Sequence, residues 1–176
     1  PVISEAFFTF RTFCGMIEQN QKGWCIMIHC SFSTVRERDM DLLFLESIVT
    51  DPGFCELVLE NTDYAQKPFR VLDAQLSRTE LDLGESDLTV ILEIDGKRVG
   101  LLIEDKIDAI AMPDQYGRYL KRGEKGRRKG DWEEFIVYIF CPQKYYCLNS
   151  EAKKYMHFRS YEKFKKYFDE KGDILS

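Results

Sequence analysis

Two acidic residues and a lysine lie at mirror-image distances from one predicted turn, and together they could bind a metal ion. Asp87 precedes one run of β-branched and apolar residues, and Glu104, Asp105 and Lys106 end a second run. Carboxylates beside a lysine suit a hard, oxygen-preferring ion such as Mg²⁺, which can activate water against a phosphate ester. The alternative is that Lys106 forms only a surface ion pair, with Glu85 or Glu104.

The turn between these runs is predicted at Asp95-Gly96. A type I′ turn requires positive φ at both central residues, which Asp-Gly adopts readily. In that register Asp87 faces Glu104, and the two like charges repel each other. At about 5 Å and an effective dielectric constant near 20, this repulsion is about 3 kcal/mol. We therefore expect a proton or a cation to offset it.

The alternation of residue types predicts that the hairpin has one apolar face and one mixed face. The apolar face carries Leu88, Val90, Leu92, Ile94, Val99, Leu101 and Ile103. The other face carries most of the charged residues, with Glu93 favourably opposite Arg98. Because residues two apart share a face, Glu104 and Lys106 project together toward Asp87.

The elements needed to position these residues follow in an order typical of an α/β domain. The predicted elements are a helix over 33–49 capped by Ser33, a short helix ending near Asn61, a strand over 69–77, the hairpin, a helix from Pro113 to Gly123, strands over 135–140 and 155–158, and a helix over 161–168. This order predicts a central mixed β-sheet flanked by helices, as one domain over residues 33–176. Residues 1–32 have no interpretable pattern, and Met27 is a candidate start of the natural chain.

Composition and charge restrict the class of protein. The 176 residues carry a net charge of −5 and are 44% hydrophobic, as in an ordinary globular domain. No apolar run is long enough to span a membrane, and the N-terminal residues do not resemble a signal peptide. The six cysteines have no paired spacing, and Cys25, His29 and Cys30 fit no standard metal site. We therefore expect a cytoplasmic protein with reduced thiols and no membrane partner.

Three short motifs, in order along the chain, resemble those of the PD-(D/E)XK nuclease superfamily. Glu85-Ser86-Asp87 with Glu104-Asp105-Lys106 resembles its signature, with Ser86 in place of the proline. Gln115-Tyr-Gly-Arg-Tyr119 resembles the Gln-x-x-x-Tyr motif of the RecB-like branch, and the segment 36–39 is similar to an acidic first helix of many members. The resemblance covers about residues 36–168 and implies a restriction-endonuclease-like core.

The resemblance implies a role for each residue of the signature. Asp87, Glu104 and the main-chain carbonyl of Asp105 would hold Mg²⁺, for which Mn²⁺ could substitute, and the Asp105 side chain would point away. Lys106 would position and polarise the attacking water. The four-cysteine set of some RecB-like relatives is absent, so no iron–sulfur cluster is expected.

Three further residues are candidates for the same site. Glu37 would approach the metal, although an acid favoured by the helix dipole is an equal alternative, and Glu46 is a weaker candidate. Gln115 and Tyr119 share a helix face and would orient Lys106 or contact the DNA backbone. Their alternative is an ordinary amphipathic helix, with Tyr119 packed and Gln115 in solvent.

The function predicted from this resemblance is hydrolysis of DNA phosphodiester bonds by a metal-dependent deoxyribonuclease, in repair, restriction or phage defence. A basic loop would bind backbone phosphates without reading sequence, through Lys121, Arg122, Lys125, Arg127, Arg128 and Lys129. Its alternative is a solvated charged surface. The competing function is a catalytically inactive nuclease-fold module that binds nucleic acid or protein. A homodimer is compatible with either function, and the sequence leaves open endonuclease or exonuclease action, and DNA or RNA.

Overall fold

The computed structural model describes residues 35–80, 84–109 and 112–174. In these ranges the helices are α1 (Glu37–Thr50), α2 (Pro52–Leu59), α3 (Gln115–Lys129), α4 (Gln143–Leu148) and α5 (Tyr161–Ile174), with a 3₁₀ turn at Ala152–Lys154. The strands are β1 (Phe69–Glu80), β2 (Gly84–Ile94), β3 (Lys97–Asp105), β4 (Glu134–Cys141) and β5 (His157–Ser160). The predicted Ser33 cap, the segment 1–32 and the Cys25, His29 and Cys30 group lie outside the described residues.

The five strands form one mixed sheet in the order β1-β2-β3-β4-β5. The β1–β2 and β2–β3 pairs are antiparallel, whereas β3–β4 and β4–β5 are parallel. The predicted α/β class, a mixed sheet flanked by helices, is confirmed, and the architecture is consistent with a restriction-endonuclease-like core. Because β3, β4 and β5 run in the same direction, their carboxyl ends meet at one edge of the sheet.

The predicted β2–β3 hairpin register is confirmed over most of its length. Asp95 and Gly96 both have positive φ, 53° and 77°, and the pairing runs in register from Ile94 at the turn to Leu88. The side chains of one predicted pair differ from expectation, because Glu93 bonds to Arg70 of β1 at 2.6 Å. The turn therefore fixes the register, as a type I′ loop does.

Both faces of the sheet are buried, each under different helices. The predicted apolar face packs against α1, α2 and α5, where the contacting rings of Phe44, Phe54, Phe140 and Phe164 have centroids 4.9–6.3 Å apart. The other face packs against α3 in a second cluster, which contains Ile91, Leu102, Tyr119, Trp132, Val137 and Ile139. The sheet is thus the middle layer of three.

The third helix is longer than predicted, because two glycines belong to its packing face. A Cβ at Gly123 would meet Phe135 at 2.2 Å, and one at Gly126 would meet Trp132 at 2.1 Å. Their lack of a side chain lets α3 approach the sheet closely, and the helix ends only at Gly130, which has φ of 81°. The prediction that Gly123 ends the helix was wrong, and the stretch predicted as a basic loop is helical.

Smaller differences occur at other boundaries. The helix predicted from Pro113 begins at Gln115, and the last strand begins at His157 instead of Tyr155. Tyr155 follows the 3₁₀ turn and is buried, with its ring 4.9 Å from that of Tyr116. The short helix α4 was not predicted. No helix in the described ranges is both long and apolar enough to cross a lipid bilayer.

Candidate functional site

The backbone ladder of the hairpin opens just before the predicted acidic pair. The pairing ends at Leu88 and Ile103. Beyond that point the main-chain N–H of Asp87 donates to the Tyr119 hydroxyl at 3.2 Å, and this hydroxyl donates to the Ile103 carbonyl at 3.1 Å. Asp87 and Glu104 therefore lie where a tyrosine hydroxyl, and not a direct backbone pair, joins the strands.

Asp87 spans the opened ladder with its side chain. Its Oδ2 accepts a hydrogen bond from the Asp105 main-chain N–H at 2.9 Å. Burial raises the pKa of Asp87 to about 7, and the charge of Glu104 contributes to the increase. The repulsion predicted between Asp87 and Glu104 is present, although burial has the larger effect on the Asp87 carboxyl.

Lys106 extends its ammonium group into a set of oxygen atoms. Nζ lies 2.7 Å from Glu104 Oε1, 3.0 Å from the Asp105 carbonyl oxygen and 3.2 Å from Glu37 Oε2. Burial alone would lower the pKa of Lys106, but the nearby acids, Glu104 above all, raise it above its ordinary value. Lys106 and Glu104 are only 9% and 2% exposed, so their contact is a buried pair and the surface-pair alternative was wrong.

Glu37 connects the start of α1 to this cluster. Its Oε2 is the atom near Lys106, and its Oε1 accepts a hydrogen bond from the Ile107 main-chain N–H at 3.2 Å. Glu46 is exposed on the same helix. Glu37 therefore faces the site, while no described contact joins Glu46 to it.

Gln115 and Tyr119 both contact the strands that carry the acids. The Gln115 amide nitrogen donates to Glu104 Oε1, and its oxygen accepts from the Met112 main-chain N–H at 3.3 Å. Tyr119 is fully buried and bridges the two strands. These contacts orient Glu104 and the backbone, whereas the sequence prediction assigned both residues to Lys106 or DNA.

Asp41 is a buried acid beside this cluster that sequence reasoning missed. It is 6% exposed, and its Oδ1 has no hydrogen-bond partner. Burial raises its pKa to about 6, and the charges of Glu37 and Glu104 act in the same direction, while Arg38 and Lys106 oppose them. Its position four residues after Glu37, on the same face of a helix, was the available signal.

The Asp105 side chain lies on the opposite face of the sheet from Glu104. Its Oδ1 accepts a hydrogen bond from the Tyr161 hydroxyl at 2.5 Å, and its Oδ2 is buried without a partner. Burial raises its pKa well above the ordinary value. Its carbonyl oxygen accepts a hydrogen bond from Lys106 Nζ.

The predicted basic cluster lies on α3, but its members differ in exposure. Lys121, Arg127, Arg128 and Lys129 are exposed, and Lys125 is half-buried. Arg122 is only 5% exposed, and its guanidinium lies 3.9 Å from the centre of the Tyr119 ring. Arg122 therefore packs over a site residue and is not placed to contact a backbone phosphate.

The donor atoms around Lys106 can be compared with the requirements of a metal ion. No three described His, Cys, Asp or Glu side chains are arranged as a metal-binding group. The Glu104 carboxylate and the Asp105 carbonyl nevertheless converge on one cationic group, and both are oxygen donors. Such donors suit a hard ion, which binds proteins through few carboxylates and completes its coordination with water. The chemistry of these two donors therefore suits Mg²⁺ or Mn²⁺.

Comparison with known proteins gives little. The chain matches no known protein family. It also matches no curated protein. It is similar to the crystal structure of an XisH family protein from Nostoc punctiforme, at 12% identity, covering 63% of this chain and 80% of that protein with a TM-score of 0.35. That TM-score is too low for the likeness to carry an argument about function.

Proposed function

We propose that the protein is a metal-dependent nuclease that hydrolyses phosphodiester bonds, with DNA as its substrate. The observation that supports this most is the buried Lys106 ammonium within 3.2 Å of Glu104, Glu37 and the Asp105 carbonyl. Asp87, on the other strand, accepts a hydrogen bond from the main-chain N–H of the same residue, Asp105. A lysine among acids at the carboxyl end of a strand is suited to phosphate chemistry at an ion.

The charges of the site support a bound cation. Its acids are Glu37, Asp41, Asp87, Glu104 and Asp105, and Lys106 is the basic residue at their centre. Burial of excess carboxylates is costly, so such groups take up protons or bind ions. The raised pKa values of Asp87 and Asp41 favour the first of these, uptake of protons. A divalent cation would compete with these protons.

Each residue has a distinct role in the proposed reaction. Asp87, Glu104 and the Asp105 carbonyl would hold Mg²⁺, which would stabilise charge on the phosphate and make water more acidic. Lys106 would hold the attacking water and stabilise the negative charge that develops on the phosphate. Gln115 would keep the Glu104 carboxylate oriented.

The exposed cations of α3 would bind the nucleic acid. The helix begins at Gln115, which contacts Glu104, and runs toward the turn end of the hairpin, where Arg98 donates a hydrogen bond to the Gly130 carbonyl. Lys121, Arg127, Arg128 and Lys129 would contact backbone phosphates, which gives affinity without sequence specificity. Two of these side chains also contact acids, Lys121 with Asp114 at 3.9 Å and Arg127 with Glu124 at 2.7 Å.

The proposal is tested by incubating the protein with linear, circular and single-stranded DNA, and with RNA, in Mg²⁺ or Mn²⁺. We expect cleavage that EDTA abolishes. Asp87→Asn and Lys106→Ala should each reduce the rate at least about a hundredfold, because the first removes a charged ligand of the ion and the second removes the cation at the reacting phosphate. Matched controls are Asp63→Asn at an exposed residue and Lys163→Ala at a half-buried one, neither of which makes a described contact with the site.

The outcomes separate the competing functions. Cleavage that persists in Asp87→Asn and Lys106→Ala would contradict the assigned site. Stabilisation by Mg²⁺ without cleavage of any substrate would favour the inactive nuclease-fold module, because an ion that binds only the folded state raises its melting temperature. Cutting of circular DNA would establish endonuclease action.

A further inference from the structure

We propose that Tyr161, the first residue of α5, is a positioning residue for the metal site and acts through Asp105. The inference rests on the proposed function, because it takes the Asp105 carbonyl as a ligand of the ion. The Tyr161 hydroxyl donates to Asp105 Oδ1 at 2.5 Å. None of the described hydrogen bonds of Tyr161 is to an atom proposed to bind the ion.

The parallel strands bring Tyr161 to the site. Asp105 pairs with Phe140 of β4, and Phe140 pairs with Arg159 of β5. The chain enters α5 two residues later, at the same edge of the sheet. The Tyr161 ring lies 5.6 Å from that of Phe44 in the core, so its hydroxyl is held in place by packing.

Both main-chain groups of Asp105 form hydrogen bonds. Its N–H donates to Asp87 Oδ2 at 2.9 Å, and its carbonyl accepts from Lys106 Nζ at 3.0 Å. The next peptide N–H, that of Lys106, donates to the Phe140 carbonyl at 2.9 Å. Tyr161 adds the only described side-chain hydrogen bond on the opposite face. Its loss would leave neither oxygen of this buried carboxylate with a described hydrogen-bond partner. Relaxation of the side chain would then shift the main chain of Asp105, and its carbonyl with it.

The fold alone does not explain an aspartate at this position. Asp105 is 1% exposed, and its Oδ2 has no partner. A buried polar atom without a hydrogen bond destabilises a protein, so an apolar residue would serve the core better. An aspartate is explained if its side chain, hydrogen-bonded to Tyr161 of α5, positions the Asp105 carbonyl. Groups that orient metal ligands typically change metal affinity about 10- to 100-fold when removed.

The test measures Mg²⁺ and Mn²⁺ binding by calorimetry without nucleic acid, well below the melting temperature. Tyr161→Phe should weaken binding about tenfold. Tyr167→Phe is the matched control, because it removes a hydroxyl from the same helix that donates to another aspartate, Asp51, at 2.9 Å. Its affinity should stay within about twofold of the wild type, since its described contacts do not reach the site.

A second variant keeps the proposal testable if Tyr161→Phe does not fold. Asp105→Ala retains the main-chain carbonyl but removes the acceptor, so it should weaken binding as much as Tyr161→Phe. The double variant should be no weaker than either single variant, because both changes break one interaction. Wild-type affinity in Tyr161→Phe or in Asp105→Ala would overturn this inference alone. A wild-type protein that binds neither ion would overturn the proposed function with it.

Discussion

Different interactions join the strands at the two ends of the β2–β3 hairpin. At the turn, backbone groups pair with each other, and Glu93 bonds to a cation on the neighbouring strand. At the open end, the Tyr119 hydroxyl and the Asp87 carboxylate occupy the place of ladder bonds. Acids collect there around one lysine. The turn end satisfies the ordinary preferences of a strand pair, and the open end violates them.

This difference shows which parts of the molecule determine each end. Two residues, Asp95 and Gly96, are enough to define the turn. The open end depends on Glu37 from α1, on Gln115 and Tyr119 from α3, and on Tyr161 from α5. Local departures from good strand chemistry that remote elements hold in place are expected at functional sites.

The two ends should differ most in how much one cation contributes to the free energy of unfolding. Lys106→Met leaves the buried Glu104 carboxylate without its cationic partner and should lower the free energy of unfolding by about 4 kcal/mol. Arg70→Met at the turn end breaks an exposed pair and should cost less than about 1 kcal/mol. Urea denaturation at pH 8 measures both. Equal losses would contradict the distinction between a buried and a solvated end.

The second expectation concerns pH in the presence of EDTA. The folded-state pKa of Asp87, about 7, lies above its unfolded value of 3.8, so the folded protein binds more protons between these values. Unfolding free energy should therefore fall as pH rises through this range, by about 3 kcal/mol between pH 5 and 8. Asp87→Asn should remove the Asp87 contribution, while Asp41 and Asp105, whose pKa values are also raised, keep a smaller decline in the variant.

The comparison of wild type with Asp87→Asn also cancels the contribution of His157, which changes stability with pH in the opposite direction. Burial lowers the pKa of His157. The folded protein therefore becomes more stable as the pH rises toward the pKa that His157 has in the unfolded chain. That contribution is common to both proteins and cancels in their difference. Thermal melts across the pH range measure the two slopes, and identical slopes would contradict the raised pKa of Asp87.

The smallest expected effect isolates the bridging hydroxyl. Tyr119→Phe leaves the Asp87 N–H and the Ile103 carbonyl without their partner and should cost about 2 kcal/mol. Tyr155→Phe is the matched control, because the Tyr155 hydroxyl is buried without a hydrogen-bond partner. Its removal should be neutral or slightly stabilising. Denaturant midpoints compare the two, and a cost in both variants would mean that the bridge is not the cause.

The features predicted correctly from sequence depend on local periodicity. Alternation over Leu88–Ile94, with one Asp-Gly turn, fixed the register and both faces of the hairpin. That register placed Glu104 and Lys106 on one face, where they form a buried pair. The order of helices and strands gave the mixed sheet. Each of these features follows from neighbours two to four residues apart.

The features that sequence reasoning missed depend on contacts between distant elements. The sequence predicts a helix end at Gly123, because the close approach of Phe135 cannot be seen in a linear pattern. Arg122 was assigned to DNA from its charge, although its helix face turns it onto Tyr119. Asp41 was overlooked because only the folded arrangement of α1 brings it near Lys106. Burial, and not residue type, decides each of these cases.

The bare surface of α3 at Gly123 and Gly126 has a consequence for natural variation. A methyl group at Gly126 would overlap Trp132 and force the helix away from the sheet. Gln115 and Tyr119 would move away from the sheet as well, because they belong to the same helix. A homologue could thus lose its reactive geometry through one small substitution eleven positions along the helix from Gln115, while every acid and the lysine stayed unchanged.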